Sequence, residues 1–253
     1  MFDIIRIPAL KDNYIWLLHS ESSAIVVDPG DANPVVEILK QKDLFLEAIL
    51  ITHHHQDHQG GIAQLLKNYP ADVYGPSAEP ITALTKPVQG GETIYFQGLG
   101  TKFRVIATPG HTLGHVAYYG SQRLFCGDTL FGAGCGRVFE GAHEQMHGSL
   151  MQLAALPDET LIYSAHEYTE ANLRFALAVE HGNRLIHQRA DEAALLRAKG
   201  QATVPSILDL EKATNPFLRC DITEVIMSAQ TVDVHANTPV TVFSILREWK
   251  NRF

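Results

Sequence analysis

Cysteine is scarce in this sequence, and long apolar runs are absent from it. Among its 253 residues the cysteines are Cys126, Cys135 and Cys220, and they form no CxxC pair. An odd number of cysteines without a CxxC motif favours reduced thiols in a cytoplasmic protein over the disulfides of a secreted protein. The sequence lacks an uninterrupted apolar stretch of about 18 residues, the length that spans a membrane, and its first residues lack the basic and apolar regions of a secretory signal. We therefore expect a cytoplasmic protein without a membrane span.

An excess of positive charge is also lacking. The chain holds 20 Lys and Arg against 28 Asp and Glu, a net charge of −8. This charge argues against a general surface for nucleic acid or for anionic membranes. Residues 1–166 hold 10 basic and 17 acidic side chains, a balance of −7, whereas residues 167–253 hold 10 and 11, a balance of −1. Bound divalent cations would offset part of the acidic excess in the first part of the chain.

The pattern of apolar residues predicts two domains. Up to residue 166, short β-rich runs stop at Gly, Pro or Asp and alternate with helical patterns: AIVVD, AILI, KFRVIAT, RLFC and TLIYS. From residue 167 onward the segments are helix-length and end at glycines such as Gly182 and Gly200. The sequence predicts an α+β fold, with a sheet-and-helix domain over residues 1–166 and a smaller, mainly α-helical domain over residues 167–253.

The densest group of metal-ligand side chains lies in THHHQDHQGG, residues 52–61, directly after a β-rich run. If the chain is still extended there, His53 and His55 point the same way and can bind one ion. Asp57 and His58 follow the turn into the next helical pattern and face a neighbouring point. This one segment can therefore provide ligands for two metal sites. We expect the His54 side chain to point away from both.

Further ligand-type side chains follow the other β-rich runs: His111, His115, Asp128 and His166. Polar residues at the carboxyl ends of strands are where open sheets place function. Taken singly, each of these histidines is more often a loop or core residue, and Asp128 is more often a turn residue. Together with the THxHxDH segment they indicate a site for zinc, iron or manganese, since calcium and magnesium prefer oxygen throughout. We expect His115 to support a ligand by hydrogen bonds rather than to bind metal.

The order HxHxDH, His, Asp, His resembles the metallo-β-lactamase superfamily, from VVDPGD to SAHEYT. The segments PALKDNY, GHTLGH, FCGDTLFGAGCGR, AHEYTEANLRFA, TNPFLR and LREWKNRF resemble its glyoxalase II branch, the hydroxyacylglutathione hydrolases, and they cover both predicted domains. The resemblance implies an αββα sandwich with a metal site at one edge of two packed sheets, followed by a helical substrate-binding domain.

The same resemblance implies the residues of the site and its cofactors. It implies two divalent transition-metal ions, zinc foremost, with iron or manganese as alternatives. The first ion would be held by His53, His55 and His111, the second by Asp57, His58 and His166, and both by Asp128. The substrate-binding residues would be Arg137, Phe139, His166, Tyr168, Arg247 and Lys250. Many relatives carry Lys where Arg137 stands and Tyr where Phe139 stands; arginine keeps the charge, but phenylalanine cannot donate a hydroxyl hydrogen bond.

The implied reaction is hydrolysis of S-D-lactoylglutathione, and of other 2-hydroxyacyl glutathione thioesters, to the hydroxy acid and glutathione. This is the second step of methylglyoxal detoxification. A metal-bridging hydroxide would attack the thioester carbonyl, with Asp57 as the catalytic residue that orients it. The thiolate leaves readily without a strong general acid, because the pKa of a free thiol is only about 8.5. A small-molecule thioester is then the only partner required, and a monomer suffices.

Other chemistries of the superfamily remain as alternatives: β-lactam or lactone hydrolysis, phosphodiester cleavage, and mononuclear iron oxygenation of glutathione persulfide. The oxygenase is disfavoured because Asp57, His58 and His166 complete a second metal site. A nuclease would be expected to carry an additional nucleic-acid domain and more basic charge. A metal-binding scaffold or carrier without catalysis is the alternative from a different class, and loss of thioester with and without chelator separates it from the hydrolase.

Overall fold

The computed structural model describes residues 2–253 and has both strands and helices. The strands are β1 (Asp3–Ala9), β2 (Asn13–His19), β3 (Ser23–Val27), β4 (Phe45–Leu50), β5 (Asp72–Pro76), β6 (Lys86–Val88), β7 (Thr93–Phe96), β8 (Thr101–Ala107), β9 (Val116–Gly120), β10 (Arg123–Gly127), β11 (Leu130–Phe131), β12 (Gly134–Cys135), β13 (Leu161–Ser164) and β14 (Ser206–Ile207). The helices are α1 (Asn33–Gln41), α2 (Gln56–Gln59), α3 (Ile62–Asn68), α4 (His143–Ala154), α5 (Thr169–Val179), α6 (Arg184–Ala198), α7 (Leu208–Thr214), α8 (Thr223–Gln230) and α9 (Pro239–Arg252), with a 3-10 turn at Pro216–Leu218.

Two compact units make up the chain. The N-terminal unit contains the described residues up to Thr108 together with Thr112–Gly127, and the C-terminal unit contains Pro109–His111 and Asp128–Phe253. The domain boundary that the sequence predicts, between residues 166 and 167, falls inside the C-terminal unit. A local pattern of apolar residues shows where strands give way to helices, but it does not show which later residues the segment 128–166 packs against.

The N-terminal unit is built on a six-stranded sheet with the strand order β1-β2-β3-β4-β5-β6. Its first three strands are antiparallel, and β3 to β6 are parallel. Strands β7 to β10 of the same unit form a second, antiparallel set. All five residues of β3 are buried, as expected for a strand covered on both faces.

Each face of the first sheet has its own packing partner. On one face an aliphatic cluster joins the sheet to α1 and α3, and it includes Val26, Ile49, Val35 and Leu65. On the other face the ring of Tyr74 meets that of Phe96 on β7, with centroids 5.4 Å apart. Because successive strand residues point to opposite faces, the same strands serve both contacts. The N-terminal unit therefore has a helix layer followed by two sheet layers.

The parallel strands β3 and β4 end at the same edge of the first sheet. Val27 pairs with Leu50 at that edge, and the next residue, Asp28, donates its backbone N–H to the Leu50 carbonyl at 2.9 Å. The side chain of Asp28 then accepts the backbone N–H of Thr52 at 2.8 Å. The start of the histidine-rich segment is thus fixed to the end of the neighbouring strand.

The C-terminal unit combines two short antiparallel strand pairs, β11 with β12 and β13 with β14, with helices α4 to α9. Aromatic side chains form part of its core, where the ring of Phe217 stacks on Phe175 at 5.9 Å and meets Phe243 at 5.7 Å. Among the described residues, no helix of either unit is both long enough and apolar enough to cross a membrane.

Candidate metal centre

The histidine-rich segment brings its ligand-type side chains together within the N-terminal unit. Nε2 of His53 lies 3.0 Å from Nδ1 of His55, and Nε2 of His58 lies 3.5 Å from Oδ2 of Asp57. Helix α2 begins just after His55, whose backbone is extended at φ −61° and ψ 146°. The extended chain presents the first pair and the helix presents the second. This is the arrangement that the HxHxDH spacing predicts.

A buried carboxylate, that of Asp28, orients the His58 ring. Its Oδ2 lies 3.0 Å from Nδ1 of His58 and accepts the Thr52 hydroxyl at 2.7 Å. An imidazole that donates through Nδ1 to a carboxylate has its lone pair on Nε2, the atom that lies near Asp57. Asn13 fixes the Asp57 side chain, because the Asn13 amide donates to Oδ2 of Asp57 at 3.0 Å.

Substitution of Asp28 by asparagine is expected to weaken metal binding by about 10- to 100-fold. The new amide can keep the contact with the Thr52 N–H, but its NH2 group then faces Nδ1 of His58 and favours the tautomer with the proton on Nε2. Asparagine also tolerates the backbone of Asp28, whose φ is 50°. Metal content per chain, measured over a chelator titration, tests the effect. Unaltered metal affinity in the folded variant would contradict it.

His54 is directed to a carboxylate, and His115, expected to support a ligand by hydrogen bonds, packs on the His53 ring. His54 points to Glu79, whose Oε2 lies 3.0 Å from Nδ1 of His54 and accepts its backbone N–H at 2.6 Å. His115 stacks on the His53 ring with centroids 4.8 Å apart, and its Nδ1 lies 2.8 Å from the Thr108 hydroxyl. His115 therefore supports the position of the His53 ring by packing.

In the C-terminal unit a single carboxylate contacts two histidines. Oδ2 of Asp128 lies 3.3 Å from Nε2 of His111, and Oδ1 lies 3.3 Å from Nε2 of His166. All three residues are buried. Each oxygen of the Asp128 carboxylate is thus directed to a different buried imidazole.

The backbone after β12 (Gly134–Cys135) holds the His111 ring in place. Its Nδ1 donates to the Arg137 carbonyl at 2.8 Å, which again leaves the lone pair on Nε2. The carbonyl of His111 in turn accepts the backbone N–H of Phe139 at 3.3 Å. Gly136 allows the chain to pass closely, because a side chain there would collide with the Asp128 carbonyl.

The separations within each unit suit metal ligands. Two nitrogen or oxygen ligands of one tetrahedral zinc ion lie about 3.3–3.5 Å apart, given metal–ligand distances near 2.0–2.2 Å. Three of the four pairs lie 3.3–3.5 Å apart and the fourth 3.0 Å, and several exceed the usual hydrogen-bond length. Histidine and aspartate side chains in this structure are thus positioned to hold divalent metal ions.

The aromatic residues predicted to bind substrate contact the ligand-type histidines of the C-terminal unit. The Tyr168 ring stacks on His166 with centroids 4.8 Å apart and an interplanar angle of 4°. The Phe139 ring meets His111 edge-on at 5.2 Å and is 62% exposed. Arg137 is also exposed. These three side chains are accessible to a ligand.

The two cations predicted on α9 already have partners in the structure. Arg247 is buried; its Nη1 donates to the Cys135 carbonyl at 2.9 Å, and its guanidinium lies over the Phe217 ring. Lys250 is half-buried and donates to the Ala171 carbonyl at 3.1 Å. Within residues 2–253, the buried Nε of Arg247 has no hydrogen-bond partner.

Comparison with known proteins identifies the family. Residues 10–166 match the family model described as the metallo-beta-lactamase superfamily, and residues 167–253 match hydroxyacylglutathione hydrolase C-terminus. The hydroxyacylglutathione hydrolase of Vibrio cholerae serotype O1 (strain ATCC 39541 / Classical Ogawa 395 / O395) is 53% identical over 255 residues, covering 100% of both chains. The chain belongs to the hydroxyacylglutathione hydrolase family. A second member, from Dechloromonas aromatica (strain RCB), is 52% identical over 267 residues and also covers 100% of both chains.

A solved structure has a similar fold. The crystal structure of ETHE1 from Myxococcus xanthus has a TM-score of 0.66 and 25% identity, and the match covers 99% of this chain and 98% of that one. The predicted fold class is confirmed: a metallo-β-lactamase fold followed by a helical C-terminal domain of the hydroxyacylglutathione hydrolase type. The clustered His and Asp side chains of this family member support a binuclear site for divalent metal ions.

Three of the residues that hold the histidine and aspartate side chains in place were not predicted from the sequence. Asp28 orients His58, Asn13 holds Asp57 and Glu79 binds His54. Asp28 and Asn13 lie in VVDPGD and PALKDNY, two segments that carry the family resemblance, and Asp28 also ends a β-rich run. That position could have identified Asp28. Glu79 lies in a loop without any such pattern.

Proposed function

We propose that this chain hydrolyses S-D-lactoylglutathione and other 2-hydroxyacyl glutathione thioesters to the hydroxy acid and glutathione. In the cell this reaction is the second step of methylglyoxal detoxification. The observation that carries the proposal is Asp128, whose two oxygens each lie 3.3 Å from a different buried histidine, in a chain about half identical over its whole length to hydroxyacylglutathione hydrolases. The proposed second ligand set, Asp57, His58 and His166, favours a two-metal hydrolase over a mononuclear oxygenase.

Two divalent transition-metal ions are the proposed cofactors, with zinc foremost and iron or manganese as alternatives. The proposed ligands of the first ion are His53, His55 and His111, those of the second are Asp57, His58 and His166, and Asp128 binds both. The ligand-pair distances inside each unit and the match to the superfamily support this assignment. When bound, such ions lower the pKa of water towards 7 and polarise a carbonyl oxygen.

The protein side chains orient the reactants. Asp57, held by the Asn13 amide, is the proposed catalytic residue that accepts a hydrogen bond from the attacking water and directs its lone pair at the thioester carbon. The departing group is the glutathione thiolate, which needs no strong general acid because the pKa of a free thiol is near 8.5. The stacked ring of Tyr168 and the exposed Arg137 are proposed to bind the glutathione part of the substrate.

The proposed partners and cellular location of the protein follow from its net charge and its cysteines. The net charge of −8 disfavours nucleic acid and anionic membranes as partners. The thiols of Cys135 and Cys220 are buried, and burial raises the pKa of each, which suits reduced cysteines in the cytoplasm. We propose a cytoplasmic monomer whose partner is a small-molecule thioester.

The decisive experiment measures thioester loss and thiol release on S-D-lactoylglutathione, with metal content determined on the same sample. We expect turnover in protein that carries close to two ions per chain, its loss after chelation, and its return when zinc, iron or manganese is added. A β-lactam, a lactone and a phosphodiester serve as comparison substrates. A folded, metal-loaded protein that does not hydrolyse the thioester, or one that keeps full activity without metal, would exclude the proposal.

We propose that the Lys250 ammonium binds a carboxylate of the substrate. This role predicts that KM depends on pH. Burial, and then the positive charge of Arg247, lower the pKa of the Lys250 ammonium from 10.5 to about 8. The ammonium loses its charge as the pH rises through that value, so attraction for a substrate carboxylate weakens and KM rises above pH about 8. In Lys250→Arg the charge persists because the pKa of arginine exceeds 12, and KM should stay level over the same range. Steady-state kinetics from pH 7 to about 9.5 test this, and a KM that changes equally in both proteins contradicts it.

A further inference from the structure

The Asp128 hairpin, residues 128–137, carries groups that fix two proposed metal ligands. At its first residue is Asp128, and at its last is Arg137, whose carbonyl accepts the hydrogen bond from Nδ1 of His111. Between them lie β11 and β12, where Leu130 pairs with Cys135. A shift of this short hairpin would move the Asp128 carboxylate and the His111 ring together.

Three side chains from the helical part of the C-terminal unit bind the backbone of this hairpin. The Asn172 amide donates to the Gly132 carbonyl at 3.0 Å, and Oε2 of Glu211 accepts the backbone N–H of Ala133 at 2.8 Å. The Asn215 amide donates to the carbonyls of Gly134 and Phe131, at 2.9 and 3.3 Å. The backbone of four consecutive residues, 131–134, is therefore bound by side chains of the helical part.

The residues at the tip of the hairpin are shaped for this contact. A side chain on Gly132 would collide with Thr169, and one on Gly134 would collide with the Asn172 amide. Ala133 has a φ of 53°, a backbone conformation that costs free energy for a residue with a Cβ atom. Its methyl group is fully buried in a helical cluster with Leu173, Ala176, Ile186 and Ala193. The strained conformation is thus held by packing and by the hydrogen bond to Glu211.

Glu211 is itself fixed by its surroundings. Its side chain is fully buried, and its Oε1 accepts the Ser206 hydroxyl at 2.6 Å and pairs with the guanidinium of Arg189. The Asn215 amide also lies 3.3 Å from its Oε2. A buried carboxylate that is paired and fully hydrogen-bonded is rigid, because loss of any partner leaves an uncompensated charge.

We propose that Glu211 and Asn215 are positioning residues for the metal centre, acting through the Asp128 hairpin. Asn215 is the asparagine of TNPFLR, a segment that contains none of the proposed metal ligands or substrate-binding residues. The inference rests on the proposed function in one respect, the assignment of Asp128 and His111 as metal ligands. Through their hydrogen bonds to the hairpin, Glu211 and Asn215 keep the Asp128 carboxylate and the His111 ring in position relative to each other.

Two substitutions and two matched controls test this role. Glu211→Gln keeps the shape of the side chain but removes the charge, and Asn215→Ala removes both hydrogen bonds to the hairpin. Glu180→Gln is the first control, since Glu180 is a buried carboxylate bonded to Arg219 by two hydrogen bonds. Asn183→Ala is the second, since the Asn183 amide donates to a backbone carbonyl, that of Ala213, at 3.0 Å. Neither control residue contacts the hairpin through these bonds.

The primary readout is the rate at which zinc-loaded protein loses metal to a chelator, measured without substrate. We expect Glu211→Gln and Asn215→Ala to release metal about ten-fold faster than the unmodified chain, and to lower kcat with KM unchanged. The free energy of unfolding of each metal-free variant is measured with denaturant. Control variants that lose as much stability as the hairpin variants should still release metal at the rate of the unmodified chain. If Glu211→Gln fails to fold, Asn172→Ala removes a single hairpin contact and replaces it.

Equal rates of metal release in the hairpin variants and in controls of matched stability would overturn the inference. So would a loss confined to KM, which would indicate a role in substrate binding alone. The outcome is independent of the proposed activity, because metal release needs no substrate. An unmodified chain that binds two ions but leaves the thioester intact would exclude the proposed function and still allow this test to be read.

Discussion

Asp128→Ala is expected to lose bound metal and hydrolytic activity together, by several orders of magnitude in kcat/KM. Each Asp128 oxygen lies 3.3 Å from a different buried histidine, His111 or His166. If Asp128 bridges two ions as proposed, its removal would take one ligand and the shared negative charge from both. Elemental analysis of the purified variant, together with turnover on S-D-lactoylglutathione, gives the two quantities that should fall in parallel.

Asp158→Ala is the matched control for this substitution. Asp158 is an aspartate of the same unit that forms an exposed ion pair with Lys212 at 2.6 Å. Exposed pairs contribute about 0–1 kcal/mol, so this variant should keep its metal and its kcat. If Asp128 were only a turn residue, its substitution would likewise cost about 0.5–1 kcal/mol of stability and leave kcat alone. Near-normal turnover in a folded Asp128→Ala protein would support that simpler role.

Those features of the metal centre that follow from local spacing could be predicted from the sequence. His53 and His55 alternate along an extended segment, and Asp57 and His58 lie in the first turns of helix after it. Period-two and helical geometry fix these relations without any knowledge of the rest of the fold. The α+β class likewise follows from short β-rich runs that give way to helix-length segments.

The supports of the centre could not be predicted in this way, because they join residues distant in sequence. His58 and Asp28 are 30 residues apart, and Ala133 and Glu211 are 78 apart. Hydrogen bonds over such separations depend on how the elements pack, and one sequence contains no signal for them beyond the residue type. The domain boundary between residues 166 and 167 stays a prediction. In the structure, residues 128–166 pack within the same compact unit as the later residues.

The burial of Arg247 is a further feature that helical spacing did not reveal. A cation three residues from Lys250 on a terminal helix is usually solvated, yet Arg247 follows Phe243 by four residues and shares its face of α9. That face is buried, so the guanidinium lies over the Phe217 ring and its Nη1 is bonded to the Cys135 carbonyl. Because Cys135 belongs to the Asp128 hairpin, Arg247 contacts the same backbone that carries the proposed bridging ligand.

Combined substitution of Arg247 and Lys250 by alanine is expected to lower kcat/KM for the glutathione thioester by roughly ten- to a few hundred-fold. The two cations are proposed to bind the carboxylates of the glutathione part, far from the thioester. Charge-assisted hydrogen bonds of this kind contribute about 1.5–3 kcal/mol each, and less where solvent reaches them, as at the half-buried Lys250. Such binding acts on the ground state and the transition state alike, so KM should rise more than kcat falls.

The single substitutions should separate the two roles of these cations. Lys250→Ala removes a charge whose hydrogen bond is to Ala171 on α5, so it should raise KM, keep the metal and leave hydrolysis of a small neutral thioester unchanged. Arg247→Ala also frees the Cys135 carbonyl, and it should therefore release metal faster and slow both substrates. Equal losses on both substrates in Lys250→Ala would show that this residue is structural, and unchanged kinetics in the double variant would show that neither cation binds the substrate. Comparison of the two single variants therefore distinguishes a loss of substrate binding from a loss of support for the metal centre.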